Sequence, residues 1–168
     1  MTSPLRITIN SMAYGAAGVG RSDEGKVIFV PRTAPGDVVD VELTHQTASY
    51  SEGVVQTIVE PSPLRVKPIC HHADVCGGCP WMHLSYSAQL EAKRANVVSQ
   101  LSRIGGFKRE AAEKLIAPCI PSKREVGYRN KIELSTGVDA QGKFALGFHQ
   151  QGGNFTPIPK QCPLGAKG

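Results

Sequence analysis

Three cysteines fall within ten residues. Cys70, Cys76 and Cys79 have the spacing C-x5-C-x2-C, with Gly77-Gly78 inside the last pair. Thiolates this close can hold one face of a metal centre, and a distant fourth can close it; Cys119 and Cys162 stand apart. A [4Fe–4S] cluster takes four such thiolates. The glycines suit that chemistry, because a backbone without Cβ can wrap closely and turn its N–H groups toward sulfur. Zinc competes, since His71, His72 and His83 are near, yet only one pair has the usual C-x2-4-C spacing of zinc ligands. A thioredoxin-like C-x-x-C needs a strand-to-helix βαβ setting that the sequence does not show. Inert buried thiols fit poorly with three cysteines beside two glycines. Spacing alone favours iron–sulfur over zinc modestly. Cys119, in Ile116-Ala117-Pro118-Cys119-Ile120, has apolar neighbours and no nearby His or charge. It reads as a packing residue, not a nucleophile.

Around the cysteines the chain changes character. Residues 4–60 read as short strands, with candidates at 6–10, 26–30, 37–43 and 53–59. Val39, Val41 and Leu43 alternate with Val38, Asp40 and Glu42, giving one apolar face. Gly15, Gly18, Gly20, Gly25 and Pro35-Gly36-Asp37 read as turns. Short strands without a helix predict a small barrel of the OB type. Pro61-Ser62-Pro63 and Pro68 form a stiff linker. After the cysteines, a helix capped by Ser85 or Ser87 should run to Gly105-Gly106 with Leu90, Val97, Leu101 and Ile104 on its apolar stripe. A weaker helix is expected over 110–116. In 128–135 the even positions are mostly apolar, whereas Arg129, Lys131 and Glu133 share the other face. Residues 126–159 therefore read as part of an antiparallel sheet. The fold class expected is α+β, mostly β: an OB-like barrel over 1–61, a cysteine segment over 62–84, and a helix plus incomplete sheet domain over 85–168.

The net charge of +5 over 168 residues is uneven. Residues 1–60 carry −3, whereas 91–131 hold ten basic and four acidic residues, a net of +6. A basic middle suits a polyanion such as RNA, although a solvated helix face explains many of the same charges. Composition is too ordinary for disorder or a disulfide scaffold. No run approaches the roughly 18 apolar residues of a membrane span, and the N-terminus lacks a signal-peptide core. A cytoplasmic location follows as the expectation.

Taken together, Cys70, Cys76-Gly77-Gly78-Cys79-Pro80-Trp81-Met82-His83-Leu84-Ser85-Tyr86, Gln89-Leu90 and Lys93 resemble the iron–sulfur segment of RNA uracil-C5 methyltransferases. Gly18-Val19-Gly20-Arg21, Lys26-Val27-Ile28-Phe29-Val30-Pro31 and Pro35-Gly36-Asp37 resemble the family's TRAM domain, an OB-like barrel. Ser62-Pro63-Leu64-Arg65-Val66, with Pro68, looks like its link into the cluster. Gly127-Tyr128-Arg129-Asn130-Lys131 and Leu146-Gly147-Phe148-His149 look like its central domain. The resemblance implies four cluster ligands, Cys70, Cys76, Cys79 and, before Pro163-Leu164, Cys162; Cys119 is left over. Barrel plus cluster implies the branch acting on 23S ribosomal RNA, because the tRNA branch usually lacks both.

The family's S-adenosylmethionine domain, catalytic Cys and base would lie beyond position 168. No G-x-G-x-x-G occurs, and no catalytic or S-adenosylmethionine-binding residue is expected in this chain. The expectation is an N-terminal fragment, inactive alone, that grips RNA. The alternative is a stand-alone iron–sulfur or zinc RNA-binding module. Arg129 and Lys131 are the leading RNA contacts, with Lys93, Arg94, Lys123 and Arg124 next and Arg103, Lys108 and Arg109 in a wider set. Tyr14, Tyr50 and Phe155 are candidate stacking platforms, each with sheet packing as its plainer role. The cluster's expected role is structural, closing the loop from Cys79 to Cys162. Neither a membrane nor a protein partner is implied.

Overall fold

The computed structural model describes residues 4–149, 153–158 and 162–166. Positions 150–152 and 159 of the expected sheet lie outside them. Two compact units emerge, one of Met1–Val66 with His83–Pro121, the other of Lys67–Met82 with Ser122–Gly168. The first helix thus belongs with the barrel, across the boundaries drawn from sequence.

In the first unit, β1 (Leu5–Met12), β2 (Gly18–Arg21), β3 (Val27–Val30), β4 (Val38–Gln46) and β5 (Tyr50–Glu60) form a closed barrel in the order β1-β2-β3-β5-β4. Only β3 and β5 pair in parallel. The alternation in β4 works as expected: Val39 and Val41 join Ile7, Ile9, Ile28 and Val30 in the barrel core. Gly18 and Gly20 are not turn residues. They lie in β2, where a Cβ on Gly18 would run into Thr33 and one on Gly20 would stand 2.8 Å from Ile7 Cδ1. A small barrel needs such gaps so that opposing side chains fit. Pro35-Gly36-Asp37 does turn, with Gly36 at φ +92°.

Helix α1 spans Tyr86–Arg103, and the Ser85 hydroxyl accepts the Ala88 N–H. Gly106, at φ +73°, follows its end. Its buried ridge is offset by one position from the expected stripe. Val98 is buried, whereas Val97 and Ile104 face water. Leu90, Arg94 and Val98 form the inward i, i+4 row, and the neutral Val97 was a poor guide to which side faces in. Helix α2 covers Arg109–Leu115.

The second unit carries a three-stranded antiparallel sheet, β6 (Ser135–Val138), β7 (Phe144–His149) and β8 (Phe155–Pro157). The expected strand over 128–135 does not form. Within it only Arg129 is paired, in a parallel bridge to Gly165, before β6 begins at Ser135. Gly127, at φ +63°, breaks the approach, and residues 130–134 have no ladder partner among the described residues. Tyr128 and Leu134 are exposed accordingly.

Candidate metal and nucleic-acid site

The cysteine segment is flanked in sequence by a built stem in the first unit. Arg65 and Leu84 form an antiparallel bridge, Val66 N–H donates to the His83 carbonyl at 2.9 Å, and Ser85 N–H to the Leu64 carbonyl at 2.9 Å. Asp37, fully buried, anchors this stem to the barrel. It accepts from Ala34 N–H at 2.6 Å, Ser62 N–H at 2.8 Å, and Arg65 Nε and Nη2 at 2.8 and 2.7 Å. Burial pushes its carboxyl upward, but the hydrogen bonds from Arg65, Ser62 and Ala34 outweigh that and hold it below its ordinary value. His83 Nε2 donates to the Thr33 carbonyl at 3.0 Å, and burial lowers its pKa. That histidine serves the barrel, which removes one of the three read as zinc donors. Asp37 and Arg65 were missed as a pair. Their signal is faint, a turn aspartate and a linker arginine 28 residues apart.

Residues 67–82 are a succession of turns. His72 N–H points at Cys70 Sγ, and Gly78 N–H at Cys76 Sγ, each at 3.4 Å. These are the backbone-to-sulfur bonds expected of thiolates gathered around a charged centre. Gly77 N–H donates to the His149 carbonyl at 3.3 Å, tying the Cys76–Cys79 turn to β7. Burial pushes the Cys79 thiol up to about 11, nearby Cys162, Cys76 and Cys70 raise it too, and Arg129 pulls it down. All five cysteines are free thiols. Cys119 belongs to the other unit, half-buried between exposed Pro118 and Ile120 rather than in a packed core. Among the described residues, no three Cys, His, Asp or Glu side chains are arranged to hold a single metal ion. Soft thiols that accept backbone N–H groups are the donor type that iron–sulfur clusters take, and the fit rests on that chemistry alone.

The cations divide by use. Arg129 is exposed, 6.0 Å over the Tyr128 ring. Lys93, Lys123 and Arg124 are exposed. Lys131 is exposed and pairs with Glu133 at 2.7 Å. Arg94 is turned inward: its guanidinium donates to the Ile116 and Glu113 carbonyls at 3.1 and 2.8 Å, closing the end of α2. In the wider set Arg109 pairs with Glu113 at 2.9 Å, and Arg103 and Lys108 are exposed. Of the aromatics, Tyr50 packs edge-on to Phe29 and Phe155 covers Gly137 and Gly147. Tyr14 is 84% exposed on the β1–β2 loop, so packing does not account for it.

Comparison with known proteins gives the lineage. Residues 3–55 match the TRAM domain. An uncharacterised RNA methyltransferase of Nostoc sp. is 40% identical over 160 residues, covering 95% of this chain and 34% of that protein. The 23S rRNA (uracil(1939)-C(5))-methyltransferase RlmD of Francisella tularensis subsp. novicida is 36% identical over 155 residues, 92% of this chain and 34% of its own. The crystal structure of Pyrococcus abyssi tRNA (uracil-54, C5)-methyltransferase in complex with S-adenosyl-L-homocysteine matches with a TM-score of 0.60 and 29% identity, covering 96% of this chain and 33% of that one. A tRNA enzyme thus shares the fold over nearly the whole of this chain, so the fold by itself does not separate the ribosomal branch from the tRNA branch. The chain spans about a third of the length of the curated relatives it matches. Residues 3–55 are a TRAM domain, and the chain around it is related along nearly its whole length to RNA methyltransferases.

Proposed function

We propose that this chain is the RNA-gripping, iron–sulfur-bearing N-terminal part of an S-adenosylmethionine-dependent 23S rRNA uracil-C5 methyltransferase, working in the cytoplasm. The observation that carries the reading is the gathering of Cys70, Cys76, Cys79 and Cys162 in the unit that also holds Lys123, Arg124, Arg129 and Lys131. That unit has eight basic and four acidic residues, a net of +4. The four cysteines would hold a [4Fe–4S] cluster, which supplies a cross-link between turns distant in sequence. Backbone N–H groups of His72 and Gly78 steady the Cys70 and Cys76 sulfurs. Exposed Arg129, Lys131, Lys123 and Arg124 of the second unit and Lys93 of the first contact phosphates, and Arg94 supports α2 within the first unit. No residue of the chain is assigned to catalysis or to S-adenosylmethionine, so grip is its contribution and the methyl transfer belongs to the remainder of such an enzyme. The ribosomal assignment rests on the RlmD relatives.

Anaerobic purification tests this. Brown protein with matched iron and sulfide, and a labelled RNA displaced better by a 23S rRNA fragment than by a tRNA transcript, is the expected result. Colourless zinc protein overturns the cluster, and preferential displacement by tRNA overturns the ribosomal assignment. Methyl incorporation by the 168-residue chain alone would refute the division of labour.

A further inference from the structure

The stretch Gly127–Leu134 carries Arg129 and Lys131 yet has little to hold it. Among the described residues its backbone is pinned at one place. Gly127 N–H donates to the Pro163 carbonyl at 3.0 Å, Arg129 N–H to the Leu164 carbonyl at 2.8 Å, and Ala166 N–H to the Arg129 carbonyl at 2.8 Å. All three partners lie one to four residues beyond Cys162. That segment is itself a turn, closed by Gly165 N–H on the Cys162 carbonyl at 3.0 Å, with Leu164 buried. Contact is close: a Cβ on Gly165 would stand 2.7 Å from Ile132 Cδ1. Whatever fixes Cys162 therefore fixes the turn, and the turn fixes the register of the cationic strip.

Resting on the reading above, we propose that RNA binding at the Arg129–Lys131 strip and metal occupancy of the four-cysteine site strengthen each other, with the Arg129–Gly165 bridge as the coupling element. Each ligand orders the same segment from opposite sides, so the second to bind meets less conformational entropy. The coupling is reciprocal, because it is an equilibrium linkage. An opposing charge effect exists: loaded thiolates and RNA phosphates both draw on the Arg129 guanidinium. Salt screens that competition but not the ordering. The mutual strengthening should therefore grow as salt rises.

The test uses the 168-residue chain, loaded anaerobically, with a short oligouridylate as the RNA probe. Chelator titration with and without saturating RNA gives the shift in iron retention. RNA anisotropy with loaded and iron-stripped protein gives the shift in affinity. The two shifts should match, at about fivefold or more at 0.15 M salt, the lower end of ordinary allosteric coupling. Ala166→Pro removes the N–H given to Arg129 while keeping every cysteine and cation. It should still load iron and bind RNA, with the coupling falling toward onefold. Wild-type chelator midpoints that ignore RNA overturn the proposal even if Ala166→Pro does not fold. A chain that loads iron and binds RNA without coupling sinks this inference alone. A chain that never loads iron, or never binds RNA, sinks the parent reading as well.

Discussion

Replacing Cys162 by Ser should do far more than replacing Cys119, and the difference can be worked out. The proposed cluster on Cys70, Cys76, Cys79 and Cys162 would cross-link positions 79 and 162, enclosing 82 intervening residues. Treated as a chain cross-link, a loop of that size removes about 4.5 kcal/mol of unfolded-state entropy. The unit that contains it, Lys67–Met82 with Ser122–Gly168, has 63 residues. At ~0.05–0.15 kcal/mol per residue, such a unit has only about 3–9 kcal/mol of stability in total. Losing the link thus consumes from about half to all of it, and with an m-value near 1.5 kcal/mol/M the urea midpoint falls by about 3 M. Cys119 lies in the other unit and closes no such loop. The assay is anaerobic urea unfolding followed by cluster absorbance and circular dichroism, with iron counted per chain. Cys162→Ser should lose iron and unfold the second unit early, whereas Cys119→Ser should match the wild type. Full iron and an unmoved midpoint in Cys162→Ser would refute the reasoning, as would iron loss in Cys119→Ser.

Asp37→Asn leaves Arg65 in a largely buried site without its counter-charge, a change that costs about 3–5 kcal/mol. At ~4–8 °C per kcal/mol the barrel unit should melt at least about 12 °C lower, and a drop of only a few degrees would count against the anchor. The pH sign follows from the lowered carboxyl. Asp37's contribution is present above its ordinary 3.8 and is lost as pH falls through the lower folded value, so the wild type should weaken in acid more steeply than Asp37→Asn. Tyr14→Ala should weaken binding of single-stranded RNA by ~1–3 kcal/mol at unchanged melting temperature if the exposed ring stacks on a base; equal affinity removes it as a platform. Lys123→Gln and Lys131→Gln should each flatten the salt dependence of RNA affinity by about 0.7 in log–log slope, while salt-independent binding by the wild type would exclude a phosphate grip.

The barrel was legible in the sequence because its core alternates with period two, as at Val39 and Val41, and because both halves of that pattern face unlike surroundings. Register details were not. Gly18 and Gly20 have the composition of a turn, and only the closed barrel shows that they make room for Thr33 and Ile7. The α1 stripe failed by one position because Val97 and Val98 are chemically identical neighbours, and the choice between them is made by tertiary packing. Residues 128–135 alternate like a strand, but alternation describes one chain's side chains, whereas a strand also needs a partner for its backbone. Among the cysteines, Cys70, Cys76 and Cys79 announced themselves by spacing. Cys162 came from resemblance alone, since no local pattern links residues 83 positions apart.

Arg94 and Lys131 show why counting charges overstates an RNA surface. Both have partners within the chain, yet the partners differ in what they cost to leave. Arg94, with 24% of its side chain exposed, fills the last carbonyls of α2, and moving it to a phosphate would strip a helix end of its donors. Lys131 and Glu133 are 79% and 80% exposed, and such a pair is held weakly in water. A phosphate can take Lys131 from Glu133 with little loss. Arg129 stands between these cases, exposed but pinned by its backbone to the turn after Cys162. On the proposed reading, Arg129 would be both an RNA contact with little to give up and the one whose position is tied to the cysteine site.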